Sequence, residues 1–215
     1  MKKNKKDDKE YAVKIIEILK KNYGNAKCAL NFSNPFELLV ATILSAQCTD
    51  KRVNEVTKTL FNKYKNVEDY VDADVLELED CIRSAGFYRN KAKNIVKSAQ
   101  VIVNKYDGNV PQTMEKLLEL PGVARKTANV VLSAAFGKAE GIAVDTHVIR
   151  IANLLKLTNY DDPVKIEKDL IKIVPERYWL DFSFLIQALG RKVCKARNPD
   201  HSVCPLGEVC PSSRK

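Results

Sequence analysis

Apolar residues recur every three to four positions along almost the whole chain, and this spacing limits the possible folds more than any other feature. In the segment YAVKIIEILKKNYG, Val13, Ile15, Ile16 and Leu19 fall on one side of a helix, and Gly24 suits its end. About ten such segments follow one another, joined by short turns. None alternates with the period of two that a half-buried strand requires. The sequence therefore predicts an all-α fold.

The composition supports a folded protein. Apolar residues make up 45% of the 215 residues and charged residues 29%, which allows a real core and excludes an intrinsically disordered chain. No apolar run approaches the ~18 residues that cross a bilayer. No signal-peptide apolar region follows the opening MKKNKKDDKE. We therefore expect a cytoplasmic protein with no membrane partner.

The charge balance points to an anionic partner. Lys and Arg number 36 against 27 Asp and Glu, so the net charge is 36 − 27 = +9. Residues 191–215 alone carry six basic and two acidic residues. Such an excess favours binding to a polyanion such as nucleic acid. Basic charge that serves only solubility would give the same numbers.

The most informative turn lies in the string MEKLLELPGVARKTANVVLSAAFG. A helix predicted to end at Leu120 is followed by Pro121 and Gly122, and a second helix is predicted to begin near Val123. Proline fixes its φ angle and glycine permits unusual angles, so the backbone can reverse within two or three residues. The N–H groups at the start of the second helix then form a site for one phosphate. An ordinary helix–turn–helix corner also fits Leu-Pro-Gly alone, but the longer string LPGVARKTANVV is far more specific.

Lys126 and Asp145, which both follow this turn in the sequence, carry side chains suited to catalysis. Lys126 lies in the first turn or two of the second helix, where partial burial and the helix dipole would lower the pKa of its amine and make it nucleophilic. A solvated or phosphate-binding lysine is the alternative. Asp145 ends the apolar run GIAV and opens a helix, so it can cap that helix or stabilise a developing positive charge.

The six cysteines fall into two groups. Without a secretory signal, a disulfide framework is not expected, and Cys28, Cys48 and Cys81 are interpreted as small buried apolar residues. The other three lie close together near a histidine, in the string CKARNPDHSVCPLGEVC. The candidate metal ligands in this string are Cys194, His201, Cys204 and Cys210.

Together these motifs resemble those of the endonuclease III family of DNA glycosylases, within the helix–hairpin–helix, Gly/Pro-rich loop, Asp superfamily. The matching segments are LSAQCTD (44–50), GFYRNKAKNI (86–95), LPGVARKTANVV (120–131), AVDTHV (143–148) and the cysteine pattern. They extend over about residues 10–211, almost the whole chain.

The resemblance implies a base excision repair enzyme that acts on damaged double-stranded DNA. Such an enzyme removes oxidised pyrimidines and cuts 3′ to the abasic site by β-elimination. Lys126 matches the family's Schiff-base lysine, and Asp145 matches its catalytic aspartate. No nucleotide cofactor or catalytic metal is implied.

The resemblance also implies DNA contacts. Gln47 matches the residue that fills the gap left by the flipped nucleotide, and Phe87 occupies the wedge position, where leucine is usual. Ala124 stands where the hairpin usually carries a second glycine. The remaining expected contacts come from the hairpin and the basic tail: Leu120, Pro121, Gly122, Val123, Ala124, Arg125, Lys192, Lys195 and Arg197.

The family's iron–sulfur loop has cysteine at all four ligand spacings, and here the second ligand is His201. Three interpretations are open. The first is a [4Fe–4S] cluster held by three thiolates and one imidazole. The second is a zinc site with the same four ligands. The third is a loop that has lost its metal and is held by packing alone.

The resemblance implies two helical domains in a monomer. Residues 28–138 would form a six-helix barrel that contains the hairpin, and residues 1–27 with 139–215 would form a second domain that carries the cysteine-rich loop. Binding to DNA would associate the protein with the nucleoid. One alternative is a monofunctional mismatch or adenine glycosylase, which lacks the lysine. The other is a non-catalytic helix–hairpin–helix DNA-binding protein, which needs neither Lys126 nor Asp145.

Overall fold

The computed structural model describes residues 5–213, and the chain folds there into α-helices and short 3₁₀-helices, with no β-strand in that range. The predicted all-α class is confirmed. Residues 1–4 and 214–215, which the predicted second domain includes, lie outside the described residues. Within the described part of the chain, no helix is both long and apolar enough to span a membrane.

Eleven α-helices make up the described chain. Their bounds are α1 Lys5–Tyr23, α2 Pro35–Leu44, α3 Asp50–Lys63, α4 Val67–Val71, α5 Val75–Ile82, α6 Tyr88–Tyr106, α7 Met114–Leu118, α8 Arg125–Phe136, α9 Thr146–Leu154, α10 Pro163–Ile173 and α11 Trp179–Lys192. Two 3₁₀-helices cover Arg83–Ala85 and Glu176–Tyr178.

Most of these helices begin at a side chain that accepts hydrogen bonds from the first helical turn. Such caps satisfy N–H groups that have no partner inside the helix. The capping residues are Asn34, Thr49, Asn66, Asp74, Thr113, Asp145 and Asp162. Within the described chain, α6, α8 and α11 begin without a side-chain cap.

One compact unit comprises residues 28–140 and contains α2 to α8. Its central helix is α2, which is buried on all sides as its apolar sequence predicts. Helix α2 packs against α8, and α6 packs against α4 and α5. The described unit has seven α-helices rather than the six of the predicted barrel. Helix α4 has only five residues, too few for a periodic apolar pattern to indicate it.

The other unit comprises residues 1–27 and 141–215 and contains α1, α9, α10 and α11 with the cysteine-rich loop. Ile15, Ile16 and Leu19 are fully buried in its core, as predicted. Val13 is only half-buried, and Ala12 takes its place in the core. Leu206, from the middle of the cysteine-rich loop, is also buried in this core and thereby anchors the loop.

Three predictions about the chain are wrong in detail. The helix before the hairpin ends at Leu118 rather than at Leu120, and the helix after it begins at Arg125 rather than near Val123. The turn is therefore longer than proline and glycine alone indicate. The first three cysteines are half-buried rather than buried: Cys28, Cys48 and Cys81.

Candidate functional site

The turn between α7 and α8 is a β-turn closed by the N–H of Val123, which donates to the carbonyl of Leu120 at 3.1 Å. Proline at the second position and glycine at the third, with φ of +79° at Gly122, are typical of a type II turn. The hydroxyl of Ser98 on α6 donates to the Pro121 carbonyl at 2.8 Å and holds the turn against the unit.

Gly122 is required for space as well as for its backbone angle. A Cβ at this position would lie 2.8 Å from Nδ2 and 2.9 Å from Cβ of Asn94. The turn therefore packs against α6 so closely that no side chain fits. The tight reversal is predicted from the backbone angles of proline and glycine, and this explanation is correct.

Helix α8 begins with no side-chain cap because Ala124, its N-cap residue, has no acceptor. Ala124 has φ of −93° and ψ of 170°, which any residue can adopt, so the backbone does not need a glycine there. The first N–H groups of α8 can therefore bind an anion, as expected at a helix N-terminus.

Lys126 is the second residue of α8, in the first turn, where the sequence placed it. Its side chain is exposed. The expected partial burial is therefore wrong for the free chain, and only its position at the positive end of the helix dipole is found. Any further desolvation must come from a bound ligand.

Asp145 is the N-cap of α9. Its Oδ1 accepts hydrogen bonds from the N–H groups of His147 and Val148, both at 2.9 Å. The capping interpretation is thus correct. It does not exclude the catalytic one, because both bonds go to a single oxygen of a half-buried carboxylate. Lys126 belongs to the unit of residues 28–140, and Asp145 belongs to the other unit.

Gln47 and Phe87 lie on two strained loops. Gln47 is in the gap loop (Ser45–Cys48), a β-turn closed by a bond of 3.1 Å from the Cys48 N–H to the Ser45 carbonyl. Phe87 is in the wedge loop (Ala85–Tyr88). Both residues are exposed and have φ near +50°, which costs a non-glycine residue roughly 1–3 kcal/mol. Such angles persist only where the surrounding structure fixes the backbone, and Phe87 is also a large apolar side chain with 64% exposure.

The remaining predicted DNA contacts differ in exposure. Leu120 and Val123 are buried, so their side chains anchor the hairpin, and only their backbone atoms could face a ligand. Gly122 and Ala124 are exposed, and Pro121 and Arg125 are half-buried. The three basic residues at the start of the cysteine-rich loop are all exposed: Lys192, Lys195 and Arg197.

The four candidate metal ligands line one cavity of about 430 Å³ in the unit that contains α11. All four are half-buried: Cys194, His201, Cys204 and Cys210. The loop is held by backbone bonds, such as that from the Cys210 N–H to the Leu206 carbonyl at 2.8 Å. The guanidinium of Arg150 donates to the Cys194 carbonyl at 2.6 Å and fixes the first ligand.

Three thiols and one imidazole line this cavity, and such soft donors suit zinc or an iron–sulfur cluster. Burial raises the pKa of the Cys194 thiol, Arg150 opposes the rise, and the neighbouring Cys204 and Cys210 add to it. Thiolates in this cavity would therefore repel one another unless cations neutralise them.

Sequence reasoning missed the residues that hold these features in place. Ser98 and Asn94 fix the hairpin, Arg150 fixes the first cysteine, and Lys91 binds both the gap loop and the wedge loop. Lys91 and Asn94 lie within the recognised string GFYRNKAKNI, but their partners are distant in sequence. No local pattern shows such contacts.

Comparison with known families agrees with this geometry. A family model described as the HhH-GPD superfamily of base excision DNA repair proteins matches residues 40–176, more than half of the chain. A second model, the iron–sulfur binding domain of endonuclease III, matches residues 194–210, which contain all four candidate ligands. The fold and the site therefore define a base excision DNA repair protein of the HhH-GPD superfamily.

Individual relatives narrow this class. The chain is 52% identical to endonuclease III of Synechocystis sp. over 96% of this chain and 94% of the relative. It is 49% identical to endonuclease III of Bacillus subtilis over 90% and 88% of the two chains. A solved structure described as a trapped endonuclease III–DNA covalent intermediate superposes with a TM-score of 0.89 and 45% identity, covering 98% of this chain and 97% of that chain.

The chain belongs to the endonuclease III family. It is a base excision repair DNA glycosylase with AP lyase activity, and it carries an iron–sulfur binding domain. The predicted family, fold and enzyme class are confirmed. Membership of this family favours the predicted enzyme over a monofunctional glycosylase and over a non-catalytic DNA-binding protein.

We expect Gly122→Ala to destabilise the chain more than Gly137→Ala. Both glycines have positive φ, +79° and +62°, so both substitutions carry the backbone cost of about 1 kcal/mol. Only Gly122 also meets Asn94, whereas Gly137 has nothing within 4 Å. The added clash should bring the loss for Gly122→Ala to about 2–4 kcal/mol. Chemical denaturation of the two variants measures the difference, and equal losses would show that the contact with Asn94 is unimportant.

Proposed function

We propose that this enzyme removes oxidised pyrimidines from damaged duplex DNA and cleaves the strand 3′ to the abasic site through a Schiff base on Lys126. The observation that carries the proposal is the position of Lys126. It is an exposed amine in the first turn of α8, directly after an uncapped hairpin turn suited to a phosphate. The covalent intermediate described for the similar endonuclease III structure supports a covalent route here.

The chemistry follows from a neutral amine at this position. The Lys126 amine attacks C1′ of the sugar, and the bond from C1′ to the base breaks. Opening of the sugar ring then gives an imine between C1′ and the lysine nitrogen. The imine acidifies the C2′ proton, and loss of that proton expels the 3′ phosphate oxygen by β-elimination. Nucleophilic attack uses the lone pair of the neutral amine, and a bound duplex would exclude water from around it.

The role we propose for Asp145 is electrostatic. Positive charge develops on the sugar as the base leaves, and a fixed carboxylate lowers the energy of that state. Its cap bonds to α9 use Oδ1 and hold the carboxylate in one orientation. A group held in this way needs little reorganisation when charge develops.

Access to the base requires that the nucleotide leaves the stack, which costs a few kcal/mol and less for a damaged base. We propose that Gln47 fills the resulting gap and that Phe87 wedges the duplex open. Both lie exposed on strained loops, so they are held outward before DNA binds.

Binding to the DNA backbone is proposed to be mainly electrostatic. The net charge of +9 and the exposed Lys192, Lys195 and Arg197 favour phosphate contacts that do not depend on sequence. The N–H groups at the start of α8 add one more phosphate contact. We propose that the enzyme acts as a monomer in the cytoplasm, associated with the nucleoid through this binding.

For the iron–sulfur binding domain, we propose a [4Fe–4S] cluster held by Cys194, His201, Cys204 and Cys210. The cluster would cross-link the loop through these four residues. The support is that all four side chains line one cavity, within a segment that matches the iron–sulfur family model. Imidazole is an established ligand in some iron–sulfur centres.

Lys126→Gln should abolish the covalent intermediate. Glutamine cannot form an imine, so borohydride should trap no adduct on a duplex with an oxidised pyrimidine, whereas binding to that duplex should persist. Lys165→Gln is the matched control, because Lys165 is an exposed lysine in the first turn of α10. A Lys126→Gln variant that crosslinks as well as the wild type would refute the assignment.

Asp145→Asn should separate capping from catalysis. Asparagine caps helices as well as aspartate, so the unfolding temperature should hardly change. Removal of the charge should slow single-turnover base excision by ~10²-fold or more. Asp162→Asn, the same change at the N-cap of α10, should leave excision unchanged. An unaltered rate in Asp145→Asn would leave Asp145 as a helix cap only.

His201→Cys should retain the cluster, and His201→Ala should weaken or lose it. Cysteine restores a ligand atom at the fourth position, whereas alanine leaves one iron without a protein ligand. Iron and acid-labile sulfide, measured after anaerobic purification, should be about equal in the wild type and in His201→Cys. Ser202→Ala controls for changes in the loop. Zinc without sulfide, or protein without metal, in the wild type would contradict the proposal.

A further inference from the structure

Lys91 makes three hydrogen bonds from one buried ammonium group. Its Nζ donates to the carbonyls of Leu44 at 2.8 Å, Ala46 at 2.7 Å and Ala85 at 2.9 Å. The side chain is only 5% exposed. An ammonium group has three N–H donors and no acceptor, so these three carbonyls use its full capacity.

The three carbonyls belong to two separate parts of the unit. Leu44 ends α2, Ala46 is in the gap loop beside Gln47, and Ala85 begins the wedge loop. The backbone N–H of Lys91 also donates to the carbonyl of Phe87 at 3.1 Å. That bond is the first backbone bond of α6, whereas the side-chain bonds of Lys91 hold the gap loop to the wedge loop.

The charge of Lys91 matches its surroundings. The C-terminal end of a helix attracts cations, and α2 has no basic residue in its own last turn. Lys91 supplies that charge from α6. Burial lowers the pKa of its amine, and Cys48 opposes this. Only the charged form can satisfy all three carbonyls, because a neutral amine has two N–H donors.

The bonds of Lys91 also explain how the strained loops persist. Gln47 and Phe87 both have φ near +50°, and Gly86 between Ala85 and Phe87 has φ of +71°. Such angles survive only where surrounding contacts over-determine them. The Lys91 ammonium binds the residue before Gln47 and the residue before Gly86.

We propose that Lys91 is a positioning residue for lesion recognition: it sets the separation and conformation of the gap loop and the wedge loop, so that Gln47 and Phe87 enter the duplex together. This inference rests on the proposed function of those two residues. Lys91 itself is buried beneath the loops and acts through them rather than on DNA.

The test compares Lys91→Met with Lys97→Met, an exposed lysine on the same helix. Each variant is measured for affinity to a duplex with one abasic-site analogue and to the same duplex undamaged. The measurements are repeated in a Gln47→Ala/Phe87→Ala background. Lys91→Met should lower the ratio of the two affinities about tenfold, within the range seen for coupled residues. In the Gln47→Ala/Phe87→Ala background, Lys91→Met should lower this ratio by a further factor of less than about two. Lys97→Met should leave the ratio unchanged in both backgrounds.

Amide hydrogen exchange in the free variants gives a second measurement that does not depend on DNA. Lys91→Met should speed exchange at residues 46–48 and 86–88 and leave the core of α2 unchanged. If Lys91→Met does not fold, Lys91→Arg takes its place. A planar guanidinium keeps the charge but cannot present three donors from one nitrogen, so it should show the same loss of ratio to a smaller extent.

The possible outcomes separate a failure of the role of Lys91 from a failure of the proposed function. A further tenfold loss in the double-alanine background, or equal loss on damaged and plain duplex, overturns the role of Lys91 and leaves the proposed function intact. A wild type that shows no preference for the damaged duplex and yields no borohydride adduct overturns the proposed function, and the role of Lys91 with it.

Discussion

Every α-helix leaves the N–H groups of its first turn without partners inside the helix, and the way this chain satisfies them organises its chemistry. Seven of the described helices use a side-chain cap, whereas α6, α8 and α11 have none. At α8, Ala124 offers no acceptor and the hairpin turn leads directly into Lys126. A phosphate can supply the missing partner there. The same end of the helix is the positive end of the helix dipole, which attracts an anion.

The capping role of Asp145, and the electrostatic role that we propose for it, are compatible for a geometric reason. A carboxylate has two oxygens, and the cap of α9 uses only Oδ1. The cap therefore fixes the group without consuming its charge. An asparagine would cap the helix equally well, so the proposed role, and not the cap, is what requires a negative charge at this position.

A second constraint is the backbone strain held in two exposed loops of the unit of residues 28–140. Gln47 and Phe87 hold left-handed backbone angles, and the three carbonyl bonds of Lys91 keep both loops in register. A buried ion–dipole contact between the Lys91 ammonium and these carbonyls holds the two side chains outward. Because the contact exists before any ligand binds, less conformational entropy is lost on binding.

The sequence by itself determined the helical class, the reversal at Pro121–Gly122, the position of Lys126 near a helix start and the grouping of Cys194, His201, Cys204 and Cys210, because each depends on residues close together in the chain. Helix periodicity, turn chemistry and ligand spacing are local properties. The local pattern did not indicate α4, because that helix has only five residues. It also misplaced the start of α8, because the start at Arg125 depends on the whole preceding turn. Only the tertiary structure decided that Lys126 is exposed, that Asn94 excludes a side chain at Gly122, that Leu206 anchors the cysteine-rich loop, and that Lys91 joins two loops about 40 residues apart in sequence. These are contacts between residues distant in the chain, and burial and hydrogen bonding of that kind exist only once the helices have packed.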